Sequence, residues 1–90
     1  MVIADILNDD HLPPHAIERL EERGATQAEV IEAILQGERF PAKHGRTGYR
    51  RNFSFGDTWR GRWYAMKQIE AYVVDEAEHN LVITVITRFF

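Results

Sequence analysis

The 90-residue chain contains no cysteine, and its apolar runs are short. Without cysteine it has no disulfide framework, no thiolate nucleophile and no cysteine-ligated metal site. No apolar run approaches the roughly 18 residues of a membrane-spanning helix, and the acidic start MVIADILNDD is not typical of a signal peptide. We therefore expect a single domain over residues 1–90 that does not itself insert into a membrane.

The charged side chains are unevenly distributed along the chain. Residues 1–38 carry two basic and nine acidic side chains, residues 39–67 carry eight and one, and residues 68–90 carry one and four. The net charge of −3 therefore conceals a cationic middle third, which includes the stretch FPAKHGRTGYRRNF at 40–53. Clustered Lys and Arg among aromatic residues indicate a surface for a polyanion such as RNA. Alternatively, the acidic helices neutralise these charges in the folded protein, and charge alone favours neither interpretation.

The first half of the chain predicts two short helices joined by a tight turn. Two prolines open the run PPHAIERLEER and Gly24 follows it, which favours a helix from about Pro14 to Arg23. Thr26 and Glu29 have the spacing of a capping box, so we expect a second helix from there to about Gln36. The two helices would form a helical hairpin.

The second half has the period-two pattern of strands. We predict a loop at 43–48, a strand at 49–55 and a turn at 56–58. Beyond these we predict one long strand, or two separated by a bulge, at 62–76, then a turn at 78–80 and a strand at 81–89. The expected fold class is α+β, with the N-terminal helical hairpin packed on a twisted antiparallel sheet of three to five strands.

The first predicted helix carries a polar stripe of His15, Arg19 and Arg23, spaced at i, i+4 and i+8. This stripe lies between the apolar and acidic arcs of the helix, where side chains line a cleft between helix and sheet. Alternatively, Arg19 simply pairs with Glu22 at i+3. His11 and His15 have the spacing of metal ligands, but two prolines intervene and no third ligand is evident. We predict no metal and no other cofactor.

The last predicted strand contains two threonines on opposite faces, because successive side chains of a strand alternate. Thr87 shares a face with the apolar Val85 and Phe89, whereas Thr84 shares a face with Arg88. Thr84 is therefore the better candidate for a polar site, and Thr87 is the alternative.

The segment HAIERLEERGATQAEVIEAILQGERFP resembles the helical hairpin of small RelE-like proteins. FPAKHGRTGYRRNF, WRGRWYAMKQIEAYVVDE and LVITVITRFF resemble C-terminal toxin domains of CdiA-type and other polymorphic toxins, whose fold groups with barnase, EndoU, colicin and RelE-like ribonucleases. The resemblance covers residues 12–90. It implies cleavage of RNA, usually tRNA, and a cognate immunity protein. It also implies delivery within a secreted or cell-surface effector of contact-dependent growth inhibition, and action in the cytoplasm of a target bacterium.

Metal-free RNA cleavage requires a base for the ribose 2′-hydroxyl proton, an acid for the leaving 5′-oxygen and fixed cations around the phosphate. His15 can be the base or the acid, Arg19 and Arg46 can hold the phosphate, and Thr84 can donate a hydrogen bond to it. Lys43, His44 or Tyr49 can supply the second proton-transfer group. The remaining candidate RNA-binding residues are cationic: Arg23, Arg50, Arg51, Arg60 and Arg62. The product would be a 2′,3′-cyclic phosphate.

Three alternatives remain at this point. The chain can be a RelE-like toxin of a toxin–antitoxin pair, which would act in the cytoplasm of its own cell. A non-catalytic immunity or antitoxin-type binding protein would explain the net acidity, but it leaves the cationic middle third unexplained. A nucleic-acid-binding module without catalysis explains that third but gives the His15 stripe no role. For the toxin, the expected protein partner is acidic, because complementary charge favours association with the cationic segment.

We predict that His15→Ala gives a folded, RNA-binding protein that is not toxic. Losing a proton-transfer group should slow RNA cleavage by about 10²–10⁴-fold. A side chain in the first helical turn, at the rim of the apolar arc, should contribute little to stability. Growth of cells that express the variant without its partner, tRNA integrity and circular dichroism measure these effects. A folded variant that cleaves RNA at the parent rate would remove His15 from the site.

Overall fold

In the computed structural model, the backbone is described for residues 14–75 and 80–90, and the side chains for residues 17–74 and 82–90. Two helices are followed by four strands: α1 Pro14–Glu22, α2 Gln27–Gln36, β1 Glu38–Pro41, β2 Thr47–Trp59, β3 Arg62–Asp75 and β4 Asn80–Phe89. A short 3-10 helix, Lys43–Gly45, lies between β1 and β2. The strands form one antiparallel sheet, which confirms the predicted α+β class. Within the described part, no helix is long and apolar enough to cross a membrane.

The helical hairpin forms as the sequence predicts. α1 ends before Gly24, whose φ of 74° lies in the left-handed region that glycine adopts without strain. Thr26 then caps α2: the Glu29 N–H donates to Thr26 Oγ1 at 3.2 Å, and the Thr26 N–H donates to Glu29 Oε1 at 2.9 Å. This reciprocal pair is the predicted capping box, and it fixes where α2 begins.

The strands follow the chain order β1-β2-β3-β4, so β1 and β4 are the two edges of the sheet. The predicted turn at 56–58 is wrong, because these residues lie within β2. The pairing of β2 with β3 shifts register between Ser54 and Asp57, and Gly56 at φ 60° lies within this bulge. The chain instead reverses at Arg60 and Gly61, whose φ values of 50° and 83° suit a two-residue hairpin turn. Of the turn predicted at 78–80, residues 78 and 79 lie outside the described residues, and Asn80 is the first residue of β4.

One face of the sheet packs on the helices and forms the core. Its buried apolar side chains come from both helices, from the turn between them and from the last two strands: Leu20, Ala25, Val30, Ala33, Ile69, Ala71, Val73, Val82 and Val85. Alternation along the strands sends the intervening side chains to the other side of the sheet. We call that side the open face; its side chains include Phe40, Arg50, Gln68, Glu70, Tyr72, Thr84 and Arg88.

Lys67 of β3 attaches the helical hairpin to the sheet. The residue is only 7% exposed. Its ammonium group donates to the carbonyl oxygen of Gly24 at 3.0 Å, and it lies 2.8 and 2.7 Å from the two carboxylate oxygens of Glu29. The same carboxylate accepts the capping bond from Thr26. The cap of α2 and the attachment of the hairpin therefore share one side chain.

We predict that Lys67→Met destabilises the fold by on the order of 3 kcal/mol, because it leaves the partly buried Glu29 carboxylate without its cation. Methionine keeps most of the apolar stem, so the loss reports on the charge. Lys43→Met is the matched control: Lys43 is exposed and has no described partner, so its stability should change by less than about 0.5 kcal/mol. Urea unfolding followed by circular dichroism measures both. Equal stability of the two variants would contradict the structural role of Lys67.

Candidate functional site

One row of residues crosses the open face through all four strands. Phe40 pairs with Gly48, Gly48 with Tyr72, and Tyr72 with Thr84. Gly48 has no side chain, and a Cβ there would lie 2.3 Å from Cζ of Phe40. The Phe40 ring therefore lies over Gly48 and meets Tyr72 edge-on, with centroids 5.9 Å apart and planes at 87°. The row provides an aromatic floor with the Thr84 hydroxyl at its end.

A pocket of about 530 Å³ opens beside this row. Phe40, Tyr72 and Thr84 line it from the sheet, and the connection between β1 and β2 supplies the rest of its wall: Pro41, Ala42, Lys43, His44 and Arg46. The described residues that line the pocket include no Asp or Glu. Two permanent cations and an imidazole therefore border a concave, partly aromatic surface.

The connection that carries these groups has an unusual backbone. His44 has φ 60° and ψ 35°, and Gly45 follows with φ 71°. A left-handed conformation at a residue other than glycine costs on the order of 1–3 kcal/mol, and such residues cluster at functional sites. The Ala42 N–H donates to the Arg46 carbonyl at 2.9 Å, and the Arg46 N–H donates to the Lys43 carbonyl at 3.3 Å. These two bonds hold the turn closed beneath the exposed His44.

The predicted RNA-binding residues differ in whether they have partners inside the protein. Within the described part of the chain, the side chains of Lys43, His44 and Arg46 make no hydrogen bond or ion pair. Other predicted RNA-binding arginines are engaged inside the protein: Arg50 with Glu38, Arg51 with Glu32 and the Gln36 carbonyl, Arg23 with the Val85 carbonyl, and Arg60 with the Glu22 carbonyl. Neutralisation by acidic side chains therefore applies to part of the cationic segment, and Lys43, His44 and Arg46 at the pocket are among the residues that it leaves unpaired.

Arg50 lies on the same face, but its guanidinium is already paired with Glu38. Its guanidinium donates to both carboxylate oxygens of Glu38, at 3.0 and 2.9 Å, and lies 4.5 Å from the centre of the Phe40 ring. The hydrogen bonds from Arg50 lower the pKa of Glu38, and its positive charge acts in the same direction. Arg50 thus supports the aromatic floor from outside the pocket, with its charge already balanced.

A buried carboxylate lies beside the aromatic floor, in the neighbouring row of the open face. Glu70 is 6% exposed; it accepts a hydrogen bond from the Tyr72 hydroxyl at 3.1 Å and one from Nε of Arg88 at 3.1 Å. Burial raises the pKa of Tyr72, and the hydrogen bond to Glu70 and the negative charge of that residue raise it further. The phenol therefore stays protonated, and Glu70 fixes its orientation.

The sequence interpretation missed Glu70, Tyr72 and Arg88 as site residues. A signal for the first two was present in the run KQIEAYVV, in which Gln68, Glu70 and Tyr72 alternate with apolar residues. This alternation places a polar group on one face of β3, where the structure has it. The two threonines of β4 lie on opposite faces, as the alternation predicts. Thr84 lies opposite Tyr72 on the open face, and Thr87 lies opposite Ile69 on the helix-facing side.

Several predicted site residues are not brought together with the pocket. Tyr49 lies opposite Ala71 and packs against the core, on the helix-facing side of the sheet. Arg19 belongs to α1, which packs on that same side, and is exposed. Arg60 lies in the turn between β2 and β3, and Arg62 follows that turn, with its guanidinium 5.7 Å from the centre of the Tyr64 ring. Among the predicted residues whose side chains the structure describes, those that line the pocket are Lys43, His44, Arg46 and Thr84.

The two histidines of the possible metal pair cannot be placed in a site. His15 is in the first turn of α1, but its side chain lies outside the described residues, as does the whole of His11. Among the described side chains, no three His, Asp or Glu residues are grouped in a way that could hold a metal ion.

We predict that Glu70→Gln lowers the pKa of Tyr72 while leaving it above the ordinary range for tyrosine. The substitution removes the negative charge, but burial, the larger cause of the shift, remains. Nuclear magnetic resonance of ring-labelled tyrosine across alkaline pH separates Tyr72 from Tyr49 and Tyr64. Glu32→Gln, on α2, is the control and should leave the Tyr72 pKa unchanged. An unchanged or higher Tyr72 pKa in Glu70→Gln would contradict the assigned contact.

Comparison of the sequence with known protein families identifies one match. Residues 12–87 match a family model described as a domain of unknown function, DUF4258. No curated protein and no solved structure gives a significant match. The matched segment spans most of the chain, including every element from α1 to β4 apart from the last residues of β4. The chain belongs to the DUF4258 family.

Proposed function

We propose that the open-face pocket binds a phosphate of RNA and that the protein is an endoribonuclease of the toxin type. The observation that supports this proposal is the unpaired group of Lys43, His44 and Arg46 beside a pocket without acidic lining. Cations that pair with no carboxylate of the described chain are available to an anionic ligand. RNA offers that anion together with flat bases that pack on aromatic rings.

The pocket divides naturally into a phosphate part and a base or ribose part. Arg46 presents a planar fork that can hold two phosphate oxygens at once, and Lys43 adds a mobile point charge. The exposed parts of Phe40 and Tyr72 offer an aromatic surface for an unpaired base, and the Thr84 hydroxyl can donate to a phosphate oxygen. Since base stacking of this kind requires an accessible ring face, single-stranded or looped RNA fits better than a duplex.

The proposed reaction is transesterification within the RNA. A general base removes the 2′-hydroxyl proton, the 2′-oxygen bonds to phosphorus, and the bond from phosphorus to the 5′-oxygen breaks as an acid protonates that oxygen. His44 is the proton-transfer candidate in the pocket, and His15 is the second candidate. Arg46 and Lys43 stabilise the charge of the pentavalent phosphate. Tyr72, held protonated, and Glu70 position the floor and exchange no proton with the substrate.

The biological part of the proposal rests on the resemblance to polymorphic toxin domains. The protein would then act on tRNA in the cytoplasm of a target bacterium, and an acidic immunity protein would cover the pocket. Complementary charge would speed the encounter of that partner with Lys43 and Arg46. A RelE-like toxin acting in its own cell would use the same pocket, and its acidic partner would be an antitoxin.

We predict that Arg46→Ala weakens RNA binding and cleavage, whereas Arg51→Ala does not. The two arginines lie five positions apart in the same cationic segment, but Arg51 already pairs with Glu32 on the helix-facing side. Losing one phosphate contact should reduce the slope of log affinity against log salt by about 0.7 for a single strand. Fluorescence titration of a single-stranded RNA at several salt concentrations measures this. Equal losses in both variants would mean that the segment acts through general charge and that the pocket has no special role.

We predict that His44→Ala slows cleavage of RNA by about 10²–10⁴-fold while RNA affinity changes by only a few-fold. The side chain is exposed and has no described partner, so the fold should persist. Single-turnover cleavage and RNA titration separate the two effects. Cleavage at the parent rate in folded His44→Ala and in folded His15→Ala would reject the proposed chemistry. Binding without cleavage in the parent protein would reduce the function to RNA binding.

A further inference from the structure

The outer edge of β4 carries main-chain groups that have no partner strand. Phe90 and Met66 exchange two backbone hydrogen bonds, at 3.0 and 2.9 Å. Because hydrogen-bonding direction alternates along an antiparallel strand, Arg88 and Ile86 also point their main-chain groups toward β3. The N–H and C=O groups of Val85, Thr87 and Phe89 then point outward.

One contact supports this assignment of direction. Arg23, the residue that follows α1, donates from Nη1 to the Val85 carbonyl at 2.8 Å. Among the described residues, it is the only group that bonds to the outward main-chain atoms of Val85, Thr87 and Phe89. The other edge is a poorer template, because β1 has four residues and ends at Pro41, which lacks an N–H.

A groove of about 410 Å³ runs beside this edge, between β4, α1 and the turn that joins β2 to β3. Arg23, Arg60, Trp59 and Phe89 line it, and one carboxylate, Glu22, is at its border. Both arginines donate to backbone carbonyls, and neither pairs with a carboxylate of the described chain. Thr87 also lines the groove, and its buried hydroxyl has no hydrogen-bond partner among the described atoms.

We propose that an extended, acidic peptide segment of a partner protein adds as a fifth strand along Val85, Thr87 and Phe89. The partner's N–H replaces Arg23 on the Val85 carbonyl, and the released Arg23 then binds a partner carboxylate, with Arg60 as a second contact. Main-chain pairing supplies affinity in strand addition, and side chains on alternate positions supply specificity. This inference does not depend on the proposed ribonuclease activity, because the described linings of the groove and the open-face pocket share only Thr84.

Two other occupants fit the edge less well. A second copy that paired β4 with β4 around a two-fold axis would bring both copies of Arg23 and Arg60 to one seam, with repulsion between like charges. A nucleic acid would match the arginines, but it has no alternating N–H and C=O groups to pair with the strand. A peptide with carboxylates satisfies both the main chain and the charge.

The test uses the whole chain and a short capped peptide of alternating valine and glutamate. We expect saturable binding, with slower amide exchange at Val85, Thr87 and Phe89. A valine–lysine peptide should bind at least about tenfold more weakly, because it places cations against Arg23 and Arg60. The valine–glutamate peptide with methylated amide nitrogens on its bonding edge should not bind, since it keeps the side chains but cannot form the ladder.

Two variants sharpen the result. Thr87→Pro removes an outward N–H without touching a bond to β3, and should abolish peptide binding. Arg23→Gln should weaken binding of the valine–glutamate peptide but not of its valine–glutamine analogue, because only the former has a carboxylate for Arg23.

If Thr87→Pro does not fold, the methylated peptide decides the question in the parent chain. Equal binding of methylated and unmethylated peptides, or protection confined to the open face, would overturn the proposal. Self-association or RNA binding that protects these three amides would assign the edge to a different occupant and overturn it as well.

Discussion

The ion pair between Lys67 and Glu29 is the interaction on which both candidate surfaces depend. It connects β3 to the carbonyl of Gly24 and to the cap of α2, so it holds the helical hairpin on one face of the sheet. Because the helices cover that face, the other face can be polar and remain open. The same attachment brings the end of α1 beside β4, where Arg23 reaches the Val85 carbonyl. A buried charge is an expensive anchor unless its hydrogen bonds are all made, and Lys67 has three close oxygen partners.

The period of two along β2 explains why neighbouring basic residues have different roles. Arg50 is on the open face and binds Glu38, whereas Arg51 is on the helix-facing side and binds Glu32. Arg46 precedes the strand, where no neighbouring strand supplies a carboxylate. A segment that is uniformly cationic in sequence is therefore separated in space into balanced and unbalanced charges. The unbalanced ones remain solvated, and exposed charges of this kind cost the fold little.

Local signals predicted those parts of the fold that local chemistry decides. The capping box of Thr26 and Glu29, the stop at Gly24 and the alternation along β4 each depend on a few adjacent residues. The prediction of a turn at 56–58 was wrong because Gly-Asp-Thr is compatible with a turn and with a bulge, and the pairing of β2 with β3 produces the bulge. The row from Phe40 to Thr84 needs three strand registers at once, which no single segment encodes. The same dependence on register places Tyr49 on the helix-facing side, away from the pocket residues with which a catalytic role was predicted for it.

Fold stability does not explain why His44, a residue other than glycine, has a left-handed backbone conformation. Glycine at this position would remove a strain on the order of 1–3 kcal/mol, and Gly45 shows that the turn accepts glycine. The His44 side chain makes no described hydrogen bond or ion pair in return. Nor does the turn require an imidazole, because its two closing bonds join backbone atoms of Ala42, Lys43 and Arg46. The His44 imidazole lies instead at the rim of a pocket bordered by Lys43 and Arg46. This combination of a left-handed backbone and an exposed side chain without a described hydrogen bond or ion pair is why we propose His44 as the strongest candidate for the chemistry of the site.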